Sequence, residues 1–162
     1  MKNKIKLFAM DVDGTLTDGK IYIGNAGEVC KAFHIKDGMG IRMLIDNGII
    51  PAIITGRSSK IVENRAKELG ITELHQGVCD KAAVLAELLE KYHLEVKESA
   101  YIGDDINDLK VMASSGFSFA PADAVQEVKK QADFVLSAKG GEGAVREAAE
   151  YILDSGAGKQ EE

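Results

Sequence analysis

Ile5-Lys6-Leu7-Phe8-Ala9-Met10-Asp11-Val12-Asp13-Gly14-Thr15 opens the chain's ordered pattern. The run Ile5–Met10 is short and apolar, and acids and a glycine bound it, so it reads as a buried strand. Residues i and i+2 of an extended chain point the same way, so Asp11 and Asp13 would project together from the strand end. Gly14 would let the chain turn sharply there. Two carboxylates this close repel unless a cation or a shared proton compensates. Read alone, the stretch also fits an acidic surface turn. A calcium loop does not fit, because its sixth position needs Gly and here stands Leu16.

Outward from this strand, apolar runs alternate with amphipathic ones. Ile49–Ile54, Glu73–Gln76, Ser99–Ile102, Phe117–Ala120 and Asp133–Leu136 read as five more strands, the second run interrupted only by Pro51. Val84, Leu85, Leu88, Leu89 and Tyr92 recur at helical spacing, as do Ala144, Val145, Ala148, Ala149, Ile152 and Leu153. The alternation predicts an α/β fold, a doubly wound parallel sheet of Rossmann type with helices on both faces. Ligands of such sheets bind beyond the carboxyl ends of the strands. One segment departs: Ile21–Ile23 and Glu28–Ile35 flank Gly24-Asn25-Ala26-Gly27 and read as an inserted β-hairpin. Val29, Phe33 and Ile35 would share one face of it, and an isolated hairpin must pack on something. Residues 155–162 are small and polar and read as a flexible tail.

The 162 residues make one domain. With 45% hydrophobic and 28% charged residues, the chain has an ordinary globular balance and can build a core without staples. A net charge of −6 argues against nucleic acid as a partner. No apolar run approaches the ~20 residues of a membrane span, and the start is too soon charged for a secretory signal. Cys30 and Cys79 lie far apart and read as reduced thiols in a cytoplasmic protein.

Three further strand ends carry chemistry. Gly103-Asp104-Asp105-Ile106-Asn107-Asp108 holds more acid than helix capping needs. Together with Asp11 and Asp13 it makes a site for a hard cation such as Mg²⁺. Thr55-Gly56-Arg57-Ser58-Ser59 ends one strand and opens a helix, where hydroxyls and amides would hold an anion or simply cap. Lys81 begins the next helix, behind Asp80. His75 and His93 read as ordinary surface or core histidines, Lys2, Lys4 and Lys6 as a solvated strand edge, and Arg146 as a helix cap.

The ordered set Asp11-Val12-Asp13-Gly14-Thr15, Thr55-Gly56-Arg57, Lys81 and Gly103-Asp104-Asp105 with Asp108 resembles the four motifs of the haloacid dehalogenase superfamily of phosphohydrolases. The resemblance covers nearly the whole chain. It implies Asp11 as nucleophile, Asp13 as general acid and base, and Thr55 and Lys81 on the phosphoryl oxygens. It also implies Mg²⁺ on Asp11, the Asp13 carbonyl and Asp104, with Asp105 and Asp108 orienting water and Lys81. Neither the interval from Asp13 to Thr55 nor that from Thr55 to Lys81 leaves room for a cap domain.

Within the superfamily the layout resembles the capless sugar-acid phosphatases. The carrying stretches are Asp18-Gly19 with the hairpin, Lys31 through Gly38, Gly77 with Lys81, and Gly140 through Glu147. That resemblance implies a phosphorylated eight-carbon sugar acid as substrate, touched by Asp13, His34, Ile35, Lys36, Asp37, Gly38, Arg42, Arg57, Arg65 and Lys81. It implies a homotetramer whose hairpins meet, and a tail that can reach a neighbour's site. Arg pairs with a substrate carboxylate as a fork, which suits a sugar acid. His34, Lys36 and Met39 depart from the family's residues. Arg57 stands where the nine-carbon sister enzymes carry Glu, which favours the eight-carbon substrate. The alternatives are a nine-carbon substrate, a non-catalytic oligomeric module of the same fold, and a phospho-accepting receiver domain.

Overall fold

The computed structural model describes residues 5–156. The expected tail, apart from its first residues, and Lys2 and Lys4 lie outside that range. In chain order the elements are β1 (Leu7–Met10), β2 (Tyr22–Gly24), β3 (Gly27–Cys30), α1 (Ile35–Asp46), β4 (Ile50–Ile54), α2 (Lys60–Leu69) and β5 (Glu73–His75). Then follow α3 (Lys81–Lys91), β6 (Ser99–Ile102), α4 (Leu109–Ser114), β7 (Phe117–Ala120), α5 (Gln126–Gln131), β8 (Phe134–Val135) and α6 (Ala144–Gly156), with 3₁₀ turns at Val96–Glu98 and Ile106–Asp108.

The main sheet is parallel, in the order β5-β4-β1-β6-β7-β8. The period of two along each strand sorts its residues between two cores. Phe8 and Met10 of β1 face α1 and α6, beside Ile41, Leu44, Val145 and Ile152. Leu7 and Ala9 face α3, α4 and α5, beside Leu85, Leu88, Met112 and Val128. Burial on both faces explains why these strands read as continuous apolar runs. Pro51 costs no ladder bond. The Ile50 amide turns to β1, donating to the Lys6 carbonyl at 2.8 Å. The proline nitrogen therefore faces the other side, where pairing with β5 starts only at Ala52.

From β1 the chain winds first to β4 and β5, then returns to β6, β7 and β8. The crevice of this reversal opens at the carboxyl end of β1, between β4 and β6. The hairpin is present but shorter than expected. Its second arm stops at Cys30, and Ile35 is the first residue of α1. His34 explains the switch: its Nδ1 accepts from the Lys36 amide at 3.1 Å and caps the helix. Val29 and Ile35 are exposed, whereas Phe33 packs on the core, so the three do not form one face. Among the described residues no helix is long and apolar enough to cross a membrane.

Candidate active site

At the end of β1 the chain leaves its extended path in a tight loop. The Val12 carbonyl accepts from the amides of Thr15, Leu16 and Thr17 at 3.1, 2.9 and 3.1 Å. Asp11 is buried, and its Oδ1 accepts from the Val12 amide at 2.8 Å. Gly14 has φ +87°, and a Cβ there would sit 1.9 Å from Asp104 Oδ2. The glycine thus serves two ends: it turns the first acidic loop and makes room for the second. The loop before α6 backs this one from behind. The Gly141 amide donates to the Thr15 carbonyl at 3.0 Å, and a Cβ on Gly140 would strike the Gly14 carbonyl.

At the end of β6 stand Asp104 and Asp105, followed by the turn that carries Asp108. The Asp108 carboxylate is fully buried and takes four donors. Oδ1 accepts from Lys81 Nζ and Tyr101 Oη, each at 2.7 Å; Oδ2 accepts from the amides of Asp104 and Asp105 at 3.0 and 3.3 Å. Its hydrogen-bonding capacity is taken up in holding Lys81 and the loop. Lys81 Nζ also lies 3.1 Å from Asp11 Oδ1. Asp105 is exposed, and its carboxylate accepts from the Ile106 amide at 2.7 Å. From β4 come Thr55, buried, and Arg57, half-exposed with Nε 3.9 Å from Asp13 Oδ2. One cleft of about 170 Å³ is lined by Asp11, Asp13, Thr55, Gly56, Arg57, Asp104, Asp105 and Asn107. Three strand ends predicted from sequence therefore meet, with Lys81 beneath them.

The charges in this cleft do not balance. Burial, then the Asp108 charge, pushes the Asp11 carboxyl up to about 7, although Lys81 pulls it down. Burial, then Asp11 and Asp108, pushes Asp104 up to about 8. Burial alone would lower Lys81, but Asp11 and Asp108 hold it above its usual value. Carboxylate oxygens of Asp11, Asp104 and Asp108 lie within 4.8 Å of one another. With Asp108 spent on Lys81 and the loop, Asp11 and Asp104 are left to offer oxygens, and this oxygen-only, overly negative site fits a divalent hard cation such as Mg²⁺.

Most of the residues expected at the substrate's sugar lie elsewhere in this chain. Ile35, Gly38, Arg42 and Arg65 line a separate depression of about 310 Å³. His34 caps α1, and Lys36 is exposed in its first turn. Asp37, expected at the substrate, is 1% exposed, and its Oδ1 accepts from the Arg146 amide at 2.9 Å, fixing the start of α6. Arg42 pairs with Asp46 at 3.1 Å. Arg65 lies over the Phe33 ring, 5.5 Å from its centroid, and pairs with Glu68 at 3.1 Å. Of the expected sugar contacts, Arg57 and Asp13 line the cleft, and Lys81 reaches Asp11 at its edge.

The sequence reading gave no role to Tyr101 or Thr15. Tyr101 carried a readable signal: a buried tyrosine needs a partner for its hydroxyl, and β6 ends at an acidic loop. Thr15 Oγ1 donates to Asp104 Oδ1 at 3.4 Å.

A family model described as haloacid dehalogenase-like hydrolase matches residues 70–148. The chain is 50% identical over 149 residues to the 3-deoxy-D-manno-octulosonate 8-phosphate phosphatase of Yersinia pestis, covering 92% of this chain and 80% of that one. It is 48% identical over 149 residues to the enzyme of the same name from Escherichia coli K12, covering 92% and 79%. A crystal structure of the Yersinia pestis enzyme superposes with a TM-score of 0.92 at 49% identity, covering 94% of this chain and 83% of that one. The Moraxella catarrhalis phosphatase of that name, solved in complex with magnesium ion, phosphate ion and a KDO molecule, superposes with a TM-score of 0.91 at 46% identity, covering 94% and 88%. Identity at this level over most of both chains, on the same fold, means that this chain belongs to the haloacid dehalogenase-like hydrolases, in the family of the 3-deoxy-D-manno-octulosonate 8-phosphate phosphatases.

Proposed function

We propose that this chain hydrolyses 3-deoxy-D-manno-octulosonate 8-phosphate to the free sugar acid and phosphate through an aspartyl-phosphate. The carrying observation is the convergence of Asp11, Asp13, Thr55, Arg57 and Asp104 on one cleft, with Lys81 Nζ 3.1 Å from Asp11. Asp11 Oδ attacks phosphorus while the ester P–O bond breaks, and Asp13 gives its proton to the departing sugar oxygen. Asp13 then takes a proton from water, the water oxygen bonds to phosphorus, and the Asp11–phosphorus bond breaks. Thr55 and Lys81 grip the phosphoryl oxygens, and Asp108 and Tyr101 keep Lys81 in place. Asp11, Asp104 and the Asp13 carbonyl would hold Mg²⁺, which would supply the positive charge that lets an anionic nucleophile meet an anionic phosphate.

Arg57, at the cleft and half-exposed, suits the carboxylate of a sugar acid. The hairpin exposes Ile21, Tyr22, Ile23 and Val29, an apolar surface that a second copy would cover. The assembly proposed is a homotetramer with hairpins in contact, in which a neighbouring copy would bring His34, Ile35, Lys36, Arg42 and Arg65 toward the substrate, Asp37 staying buried under α6. Two free, exposed cysteines suit a reducing compartment, and the location proposed is the cytoplasm. The test is phosphate release, with Mg²⁺ and with EDTA, from phosphorylated eight- and nine-carbon sugar acids. Magnesium-dependent release from the eight-carbon ester at the higher kcat/KM is expected; preference for the nine-carbon ester would reassign the substrate.

A further inference from the structure

The short hairpin sends one charged side chain inward. Lys31 follows β3 directly, and its side chain is 2% exposed. Lysine is almost never buried unless paired. Its ammonium lies 2.5 Å from Asp13 Oδ1 and 3.0 Å from Glu28 Oε2. Glu28 is held in turn, its Oε1 accepting from Ser59 Oγ at 2.5 Å. Ser59 is the N-cap residue of α2, where a serine hydroxyl usually satisfies a helix amide. Here it makes no capping bond and turns to Glu28, while the Ser59 amide donates to Gln76 Oε1 at 2.8 Å. Polar contacts thus run unbroken from Gln76 through Ser59, Glu28 and Lys31 to Asp13. The other cation near Asp13, Arg57, is at 3.9 Å and half-exposed, a weaker constraint.

We infer that Lys31, seated by Glu28 and Ser59, is a positioning residue that fixes the Asp13 carboxyl for proton transfer to the leaving oxygen. The inference rests on the phosphatase reading above and adds a role for the hairpin in it. A charge-assisted hydrogen bond sets one carboxyl oxygen and thereby the direction of the other. A group ordered at folding need not be ordered again in the transition state. Through Glu28, the seating of the hairpin sets how well Asp13 works. A tether that only fastened the hairpin would have no reason to end on the carboxyl that moves the proton.

The experiment compares kcat/KM, which reports the step that expels the leaving group, on two substrates. The sugar-acid phosphate has an alkoxide leaving group that needs a proton, and p-nitrophenyl phosphate has one that departs without it. Lys31→Met is expected to lower kcat/KM on the sugar-acid phosphate by about 10–100-fold, part of what general acid catalysis supplies, and on p-nitrophenyl phosphate by less than about threefold. Lys31→Arg is expected to restore most of the loss, and Glu28→Gln to fall between. Equal losses on both substrates, or no loss on either, would overturn the inference. Should Lys31→Met fail to fold, as judged by circular dichroism, Glu28→Gln and Ser59→Ala decide by the same contrast, since both leave the lysine in the chain. A wild-type protein inactive on both substrates with Mg²⁺ would overturn the phosphatase reading and this inference with it. An active wild type with unselective variants overturns the inference alone.

Discussion

Two groups of buried acids in this molecule differ in how their charge is met. In the cleft, Asp11, Asp104 and Asp108 crowd around the single ammonium of Lys81, and burial and mutual repulsion push Asp11 up to about 7 and Asp104 up to about 8. On the edge strand β5, Glu73 is equally shut away, but Lys91, Tyr92 and His75 all turn toward it. Burial alone would raise Glu73, yet these three partners hold it below the usual carboxylate range. At the edge one carboxylate meets three side-chain donors, whereas in the cleft three carboxylates stand against the one ammonium of Lys81. The edge cluster is complete as a piece of structure, whereas the cleft carries stored repulsion that a cation and a phosphoryl group would use. The sign of the imbalance, more than burial itself, separates a functional acid cluster from a structural one.

Replacing Asp11 tests this most strongly. Asp11→Asn is expected to lower phosphate release on the order of 10³-fold or more, because no acyl phosphate can form. The same change removes one of the crowded charges, so the metal-free melting temperature is expected to rise. Activity lost with stability gained is the mark of a strained site; stability lost with activity kept would place Asp11 with Glu73, as a structural acid. Metal comes next in size. Mg²⁺ at a hundredfold excess over its Kd is expected to stabilise the fold by about 2.7 kcal/mol, on the order of 5–10 °C in Tm. Asp104→Asn should abolish most of that shift in a thermal melt, and an unchanged shift would put the ion elsewhere.

Acidity separates the two clusters further. Asp11 and Asp104 have folded values near 7 and 8 against 3.8 for the ordinary carboxyl, so between these limits the folded chain holds protons that the unfolded chain has lost. Their contribution to stability is complete below the unfolded value and is lost as pH rises through the folded ones. In EDTA the protein is therefore expected to melt lower at about pH 8 than at about pH 5, and Mg²⁺ at the higher pH should restore the difference. Melts that rise with pH throughout that window would count against the repulsion.

The same contrast explains what could be read in advance. Ser99–Ile102 and Phe117–Ala120 were legible residue for residue, because a buried parallel strand is a short apolar run between turn signals. Asp11, Asp13, Asp104 and Asp108 were legible because each follows such a run, where a doubly wound sheet gathers its ligands. The second hairpin arm was overextended to Ile35, because Phe33 and Ile35 alternate as a strand would, while a histidine cap is a weak start signal. Lys31 was illegible as a site residue, since a lysine on a hairpin looks solvated until Asp13 is brought to it. Asp37 looked like a ligand, and only the docking of α6 on α1 shows what one of its oxygens holds.

The smallest effect is expected at the edge. Glu73→Gln leaves the strand and its packing but removes the charge on which Tyr92 and His75 converge. Hydrogen bonds to a buried carboxylate are each worth more than neutral ones, so the loss should be about 1–2 kcal/mol, with kcat unchanged. The Lys91 head is largely exposed and adds little of its own. Because the folded value of Glu73 lies below 4.5, its contribution is present above that pH and disappears as pH falls through the folded value. Acid melts of wild type and Glu73→Gln should therefore converge, and at higher pH the variant should melt below wild type, opposite in sign to Asp11→Asn in EDTA, which should melt above it. A variant that kept its stability but lost activity would erase the distinction, since an acid with every donor met would then be as functional as one left in excess.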